Sequence, residues 1–102
     1  AMSEKTAQAV TDALRTTMTD GSAKTAGAAH PAAVGKTGTT TANTAGWFVG
    51  GTPDETTAVV VYRMSLKDLV PLSLKGLGGD ASATPASRRA VDLWTHYIKA
   101  LT

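Results

Sequence analysis

The sequence predicts an α+β fold, a three-stranded antiparallel meander flanked by an N-terminal and a C-terminal helix. Near both ends of the chain, apolar residues recur every three or four positions, which is typical of helices that bury one face. Between them lie three short runs rich in threonine, valine and aromatic residues, separated by brief turns. Such runs favour strands, and short turns join neighbouring strands into an antiparallel sheet.

The N-terminal helix is predicted over residues 2–19. Ser3 suits the N-cap position, and Glu4 falls in the first turn, where the helix dipole favours an anion. The buried stripe of this helix would consist of Ala7, Val10, Leu14 and Met18. The Ala-, Gly- and Thr-rich stretch that follows has no period, so residues 22–31 are predicted to form a loop.

The three strands are predicted over residues 33–41, 46–51 and 57–63. Asn43 and Thr44 suit the turn that joins the first two strands. The third strand carries a nearly continuous apolar run, which is typical of a central strand covered on both faces.

The last part of the chain is predicted to form a loop and then a helix that lies across the sheet. The leucines of residues 65–80 hold no single period, which favours a loop over apolar surface. Thr84 and Pro85 then suit the N-cap and the first helical position. The apolar face of this helix would consist of Ala90, Leu93, Trp94, Tyr97, Ile98 and Leu101, with Trp94 and Tyr97 in the core.

The composition excludes several classes of function. The chain of 102 residues has a net charge of only +2, and its basic residues are scattered without a patch, so nucleic-acid and membrane-surface binding are not expected. Cysteine is absent, which excludes disulfides and thiolate metal sites. No metal site is expected at His30 and His96, and no other cofactor is expected.

The supply of core-forming residues is thin. Leucine, isoleucine, valine and phenylalanine together number 18, equal to the 18 alanines. Each buried position therefore contributes little apolar area. We expect a folded segment that completes its core against other polypeptide.

The most informative stretch is the predicted first strand, where Lys36, Thr37, Gly38 and Thr39 follow one another. Lys-Thr-Gly is one of three active-site motifs of penicillin-binding proteins and serine β-lactamases. Gly35 to Thr40, followed by Trp-Phe-Val-Gly-Gly-Thr-Pro at residues 47–53, resembles the class A, bifunctional penicillin-binding proteins. The resemblance implies that residues 1–102 form the C-terminal portion of a β-lactamase-like transpeptidase domain.

The resemblance also implies roles for these four residues. The backbone N–H of Thr39 would be one of two oxyanion donors during acylation of a serine. The hydroxyls of Thr37 and Thr39 would hold the carboxylate of a D-Ala-D-Ala stem peptide or of a β-lactam. Lys36 would assist proton transfer, and Gly38 would let substrate approach the backbone. By alternation along a strand, Thr37 and Thr39 share one face and Lys36 lies on the other.

The other two motifs of this family are missing from the sequence. No serine is followed by lysine three residues later, and no Ser-x-Asn occurs. We therefore expect this chain alone to be inactive and to need the N-terminal remainder of the same domain, which would carry the serine nucleophile. The resemblance places the whole protein in the cell envelope, outside the cytoplasm, with any membrane anchor outside this segment.

Two other interpretations compete with the transpeptidase one. Gly35-Lys36-Thr37 copies the end of the phosphate-binding loop motif of nucleotide-binding proteins, although His30 stands where the first glycine of that motif belongs. Alternatively, the chain is a non-catalytic module in which Lys36 is merely solvated.

Overall fold

A computed structural model of the chain describes residues 2–21, 23–27, 29–74 and 86–101. The described residues form three α-helices and four strands in an α+β arrangement. The helices are α1 (Glu4–Thr19), α2 (Lys24–Gly27) and α3 (Ala86–Leu101). The strands are β1 (Val34–Thr39), β2 (Ala45–Gly51), β3 (Thr56–Met64) and β4 (Pro71–Leu72), and a single turn of 3-10 helix, Thr41–Asn43, joins β1 to β2.

The predicted meander is present, but it has four strands instead of three. The strands follow chain order, β1-β2-β3-β4, and each neighbouring pair is antiparallel. The additional strand β4 lies within residues 65–80, which were predicted to be a loop, and it pairs with the end of β3. Its two residues are too few to show an alternating pattern, and proline is tolerated at a strand edge because no N–H is needed there.

The N-terminal helix α1 begins as predicted but buries less than predicted. The Ser3 side chain accepts a hydrogen bond from the Thr6 backbone N–H, at 3.2 Å, which confirms Ser3 as the N-cap. Of the predicted stripe only Met18 is buried, and Val10 is 44% exposed. The stripe prediction is wrong for the first turns because α1 packs on β1 mainly through its last turns. The following stretch contains the short helix α2, so its prediction as a loop is wrong in part.

The core lies between α3 and one face of the sheet. Phe48 on β2 and Trp94 on α3 are fully buried and pack edge to face, with ring centroids 5.2 Å apart. The indole N–H of Trp94 donates to the backbone carbonyl of Gly50 at 3.2 Å. A Cβ at Gly50 would lie 2.5 Å from the Phe48 ring and 2.6 Å from the Trp94 indole. Gly50 therefore provides the space in which the two rings meet.

The predicted helix across the sheet is confirmed, although its apolar face is narrower than predicted. Its buried residues are Ala86, Ser87, Ala90, Val91, Trp94 and Ile98. Trp94 is in the core as predicted. Tyr97 is 42% exposed, so its assignment to the core is wrong, and its hydroxyl instead lies 3.4 Å from a carboxylate oxygen of Glu55. The predicted helix start at Thr84 and Pro85 lies outside the described residues.

In the described part of the chain, no helix covers the opposite face of the sheet. In this register Lys36, Val49 and Ala58 form one row across the strands, and Gly38, Trp47 and Val60 form the next row. We call this side the open face and the side under α3 the helix face. Trp47 is 44% exposed and Tyr62 is 63% exposed on the open face. The prediction that the third strand is covered on both faces is therefore wrong for this chain, because α3 covers only one of them.

The buried contact between Phe48 and Trp94 should make a large contribution to the free energy of unfolding. Trp94→Ala should lower the free energy of unfolding by about 3–5 kcal/mol, since it leaves a cavity and removes the bond to Gly50. Leu93→Ala on the same helix is the matched control, because Leu93 is 53% exposed. It should change stability by less than about 0.5 kcal/mol. Urea denaturation followed by circular dichroism measures both, and equal losses would show that α3 does not dock through Trp94.

Candidate active site

The Lys-Thr-Gly run lies on β1, the edge strand of the sheet within the described part of the chain. Lys36 pairs with Val49 on the open face. Thr37 pairs with Phe48, and Thr39 pairs with Gly46, so both threonines belong to the helix face. This separation is the one expected from alternation along a strand. Lys36 and Thr39 are exposed, and Thr37 is half-buried.

The backbone of β1 alternates between groups that bond to β2 and groups that point away from it. The N–H of Thr40, just after the strand, donates to the carbonyl of Ala45 at 3.0 Å and so points toward β2. The carbonyls of Gly35 and Thr37 point the other way, since they accept from the side chains of Thr17 and Lys36. By the same alternation, the N–H of Thr39 is directed away from β2, toward the outer edge of the strand.

The ammonium group of Lys36 reaches this outer edge. Its side chain starts on the open face, and Nζ then donates to the Thr37 carbonyl at 3.2 Å. A cavity of about 180 Å³ lies beside Lys36 and is lined mainly by apolar groups, among them Leu14 on α1 and Val49 on β2. A cation and an outward-directed N–H therefore occur along one exposed strand, and the cavity lies at the end of β1 formed by residues 34–36. This arrangement can bind an extended, anionic ligand.

Both histidines lie away from this edge. His30 lines a cavity of about 260 Å³ with Thr52, Asp54 and Glu55, and its Nδ1 accepts from the backbone N–H of Ala32 at 3.0 Å. His96 lines an open groove beside Arg89 and Asp92 on α3. Among the described residues, no group of three or more histidine, aspartate or glutamate side chains could hold a metal ion.

The surroundings of Lys36 do not match a phosphate-binding loop. Such a loop follows a strand and opens a helix, whose N-terminus receives the phosphates. Here Gly35, Lys36 and Thr37 lie inside a strand, and a single 3-10 turn and another strand follow them. The nucleotide-binding interpretation therefore lacks the geometry that it requires.

Two residues near the site, Thr17 and Asn43, could not be assigned to it from the sequence. Thr17 on α1 contacts the carbonyl of Gly35 from outside the sheet, and nothing in the helical pattern singles out this hydroxyl. The sequence pattern places Asn43 only in a turn, yet its side chain accepts a hydrogen bond from the first residue of α3. Its tolerance of left-handed backbone was the one available signal.

Two glycines on β1 differ in what surrounds them. A Cβ at Gly35 would lie 2.5 Å from the Phe48 ring and 2.8 Å from the Val49 carbonyl. A Cβ at Gly38 would meet only the Trp47 Cβ, at 3.7 Å, which is an ordinary contact. Packing within this chain therefore requires glycine at position 35 and not at position 38.

This difference gives a test on stability. Gly35→Ala should destabilise the protein by about 1–3 kcal/mol through overpacking. Gly38→Ala should leave stability unchanged or raise it by up to about 1 kcal/mol, because glycine in a strand carries an entropic cost. Thermal unfolding of the two variants measures both, and a comparable loss in Gly38→Ala would mean that this position is needed for packing.

The family of the chain follows from a comparison with known protein families. A family model described as the penicillin binding protein transpeptidase domain matches residues 1–89, a range that includes α1, the whole sheet and the first four residues of α3. Searches of curated proteins and of solved structures find no match. None of the helices in the described ranges is long and apolar enough to span a bilayer. The α+β architecture is consistent with the match, and the chain belongs to the penicillin-binding protein transpeptidase domain family.

Proposed function

We propose that this chain supplies the Lys-Thr-Gly strand of a serine D,D-transpeptidase that cross-links peptidoglycan. The substrate would be a stem peptide ending in D-Ala-D-Ala, and a β-lactam would occupy the same place. The observation that best supports this proposal is the outer edge of β1. There the N–H of Thr39 is directed away from the sheet, and Lys36 brings its ammonium to the same edge.

The proposed chemistry is acyl transfer. A serine hydroxyl attacks the carbonyl carbon of the penultimate D-Ala, and its proton passes to a basic group. The basic group then gives this proton to the nitrogen of the terminal D-Ala, the bond to that nitrogen breaks, and free D-Ala leaves while an ester remains on the serine. During the attack negative charge develops on the carbonyl oxygen, and the N–H of Thr39 would be one of two donors that stabilise it. The second donor would come from the backbone of the serine itself.

The remaining residues of the strand would bind and orient the substrate. The hydroxyls of Thr37 and Thr39 lie two residues apart on one face, a spacing that suits the terminal carboxylate. Lys36 would raise the positive potential at the serine of a Ser-x-Asn motif and assist proton transfer there. Gly38 has open space at its Cβ position, so a bound peptide could approach the backbone at this point. No cofactor takes part.

The serine nucleophile would come from the N-terminal remainder of the same domain, since this sequence contains neither Ser-x-x-Lys nor Ser-x-Asn. The open face of the sheet is where that remainder would pack, because it exposes Trp47, Val49, Val60 and Tyr62. The chain would thus be the C-terminal portion of the domain, in a protein of the class A type that acts outside the cytoplasm. Alone it would be inactive.

Covalent labelling by a fluorescent penicillin tests this proposal. The protein used is the proposed parent protein, which would contain this chain together with the Ser-x-x-Lys segment. Lys36→Ala should slow acylation by about 100-fold or more, as for the loss of a proton-transfer group. Lys67→Ala is the control, because Lys67 is exposed in the turn between β3 and β4. Acylation of Lys36→Ala at the wild-type rate would favour the non-catalytic interpretation, in which Lys36 is merely solvated.

A further inference from the structure

The connection between β1 and β2 has an unusual backbone. Ala42 and Asn43, at the end of its 3-10 turn, have φ angles of 64° and 59°. This left-handed region is uncommon for residues other than glycine, although asparagine adopts it more readily than most. Such a conformation persists where surrounding contacts hold it. The contacts of Asn43 identify what holds this one.

Asn43 joins three parts of the chain. Its side-chain oxygen accepts from the backbone N–H of Ala86, the first residue of α3. Its carbonyl accepts from the N–H of Leu74 at 2.8 Å, and its own N–H donates to the carbonyl of Thr40 at 3.1 Å. The first N–H groups of a helix have no acceptor within the helix. Asn43 therefore caps α3 from a position 43 residues earlier in the chain.

A second contact fixes α3 at the same place. A Cβ at Gly46 would overlap the backbone carbonyl group of Ala86, so the start of α3 rests directly on the backbone of β2. Gly46 is also the register partner of Thr39. The N-terminus of α3 thus lies behind the end of β1 that carries Thr39, and Asn43 attaches it there.

We propose that Asn43 is a positioning residue that, through its bond to Ala86, sets the location of the Thr39 backbone N–H. The start of α3, held by Asn43, packs on Gly46, which is the partner of Thr39 on β2. The backbone N–H of Asn43 also bonds to the carbonyl of Thr40, the residue that follows Thr39. In this role Asn43 acts through Thr39 and not on the substrate itself. This inference rests on the proposed function, in which that N–H stabilises an oxyanion. An oxyanion donor acts only at a defined position, and a displacement of about 1 Å can cost about 100-fold in rate.

The test uses three variants of the parent protein. Asn43→Gly keeps the left-handed backbone accessible and removes the acceptor. Asn43→Asp keeps both the acceptor and a tolerance of this conformation. Ala42→Gly is the matched control, because it changes the neighbouring left-handed residue without touching the bond to Ala86. For each variant, the rate constant of acylation by penicillin at saturation is measured separately from the penicillin concentration that gives half that rate.

The expected result is a selective loss in Asn43→Gly. Its saturating rate constant should fall by about 10- to 100-fold with little change in the half-saturating concentration, while Asn43→Asp and Ala42→Gly stay close to wild type. If Asn43→Gly does not fold, Asn43→Ser, whose shorter side chain cannot reach Ala86 in the same way, replaces it with the same expectation. A rate constant equal to that of wild type would overturn the inference and leave the proposed function intact.

A second measurement works without any β-lactam. In protein carrying isotope-labelled threonine, Asn43→Gly should shift the amide resonance of Thr39 and leave that of Thr57, at the far end of the sheet, in place. An unchanged Thr39 resonance would overturn the positioning role. If the wild-type protein is not acylated at all, the proposed function fails, and this measurement alone then decides whether Asn43 positions Thr39.

Discussion

The structure depends on the close approach of one helix to one strand. Gly46 and Gly50 on β2 leave no side chains in the way of α3, while Phe48 between them enters the core. Trp94 fills the space above Gly50 and bonds to its carbonyl. The chain is rich in alanine, so the buried rings of Phe48 and Trp94 contribute a large share of the apolar area in its core. These contacts fix the position of β2 against α3.

The geometry of the edge strand β1 depends on its pairing with β2. Because β1 is paired to β2 over its whole length, fixing β2 also fixes which groups of β1 point outward. At one end of β1, Thr17 on α1 holds the carbonyl of Gly35. At the other end, Asn43 and Gly46 connect the strand to the start of α3. A strand supported at both ends can keep its free backbone groups in place for a ligand, which is what electrostatic stabilisation of a developing charge requires.

Much of this architecture could be predicted from local patterns. The Thr-rich and Val-rich runs predicted the first three strands, and the cap at Ser3 predicted the start of α1. The fourth strand could not be found this way, because Pro71 and Leu72 form it through pairing with β3 and carry no pattern of their own. The apolar run of β3 was also misleading. It indicated cover on both faces, whereas Val60 and Tyr62 lie on a face that nothing in the described chain covers.

Only part of the candidate site could be predicted from the sequence. Alternation along a strand placed Lys36 opposite Thr37 and Thr39, but which backbone groups face outward depends on the register with β2. The contact of Asn43 with α3 depends on a helix that begins 43 residues later, and the tolerance of asparagine for left-handed backbone indicates a turn without indicating that contact. In the same way, Gly35 and Gly38 look alike in sequence, and only their three-dimensional neighbours separate a packing requirement from open space.

A crystal structure of the proposed parent protein, acylated by a penicillin, would show directly whether the outer edge of β1 binds the acyl group. We expect the acyl carbonyl oxygen to lie about 2.7–3.1 Å from the backbone nitrogen of Thr39, the distance of an oxyanion donor. The penicillin carboxylate should lie within hydrogen-bonding distance of the hydroxyls of Thr37 and Thr39. An acyl group bound elsewhere, with the outer edge of β1 free of ligand, would contradict the proposed function.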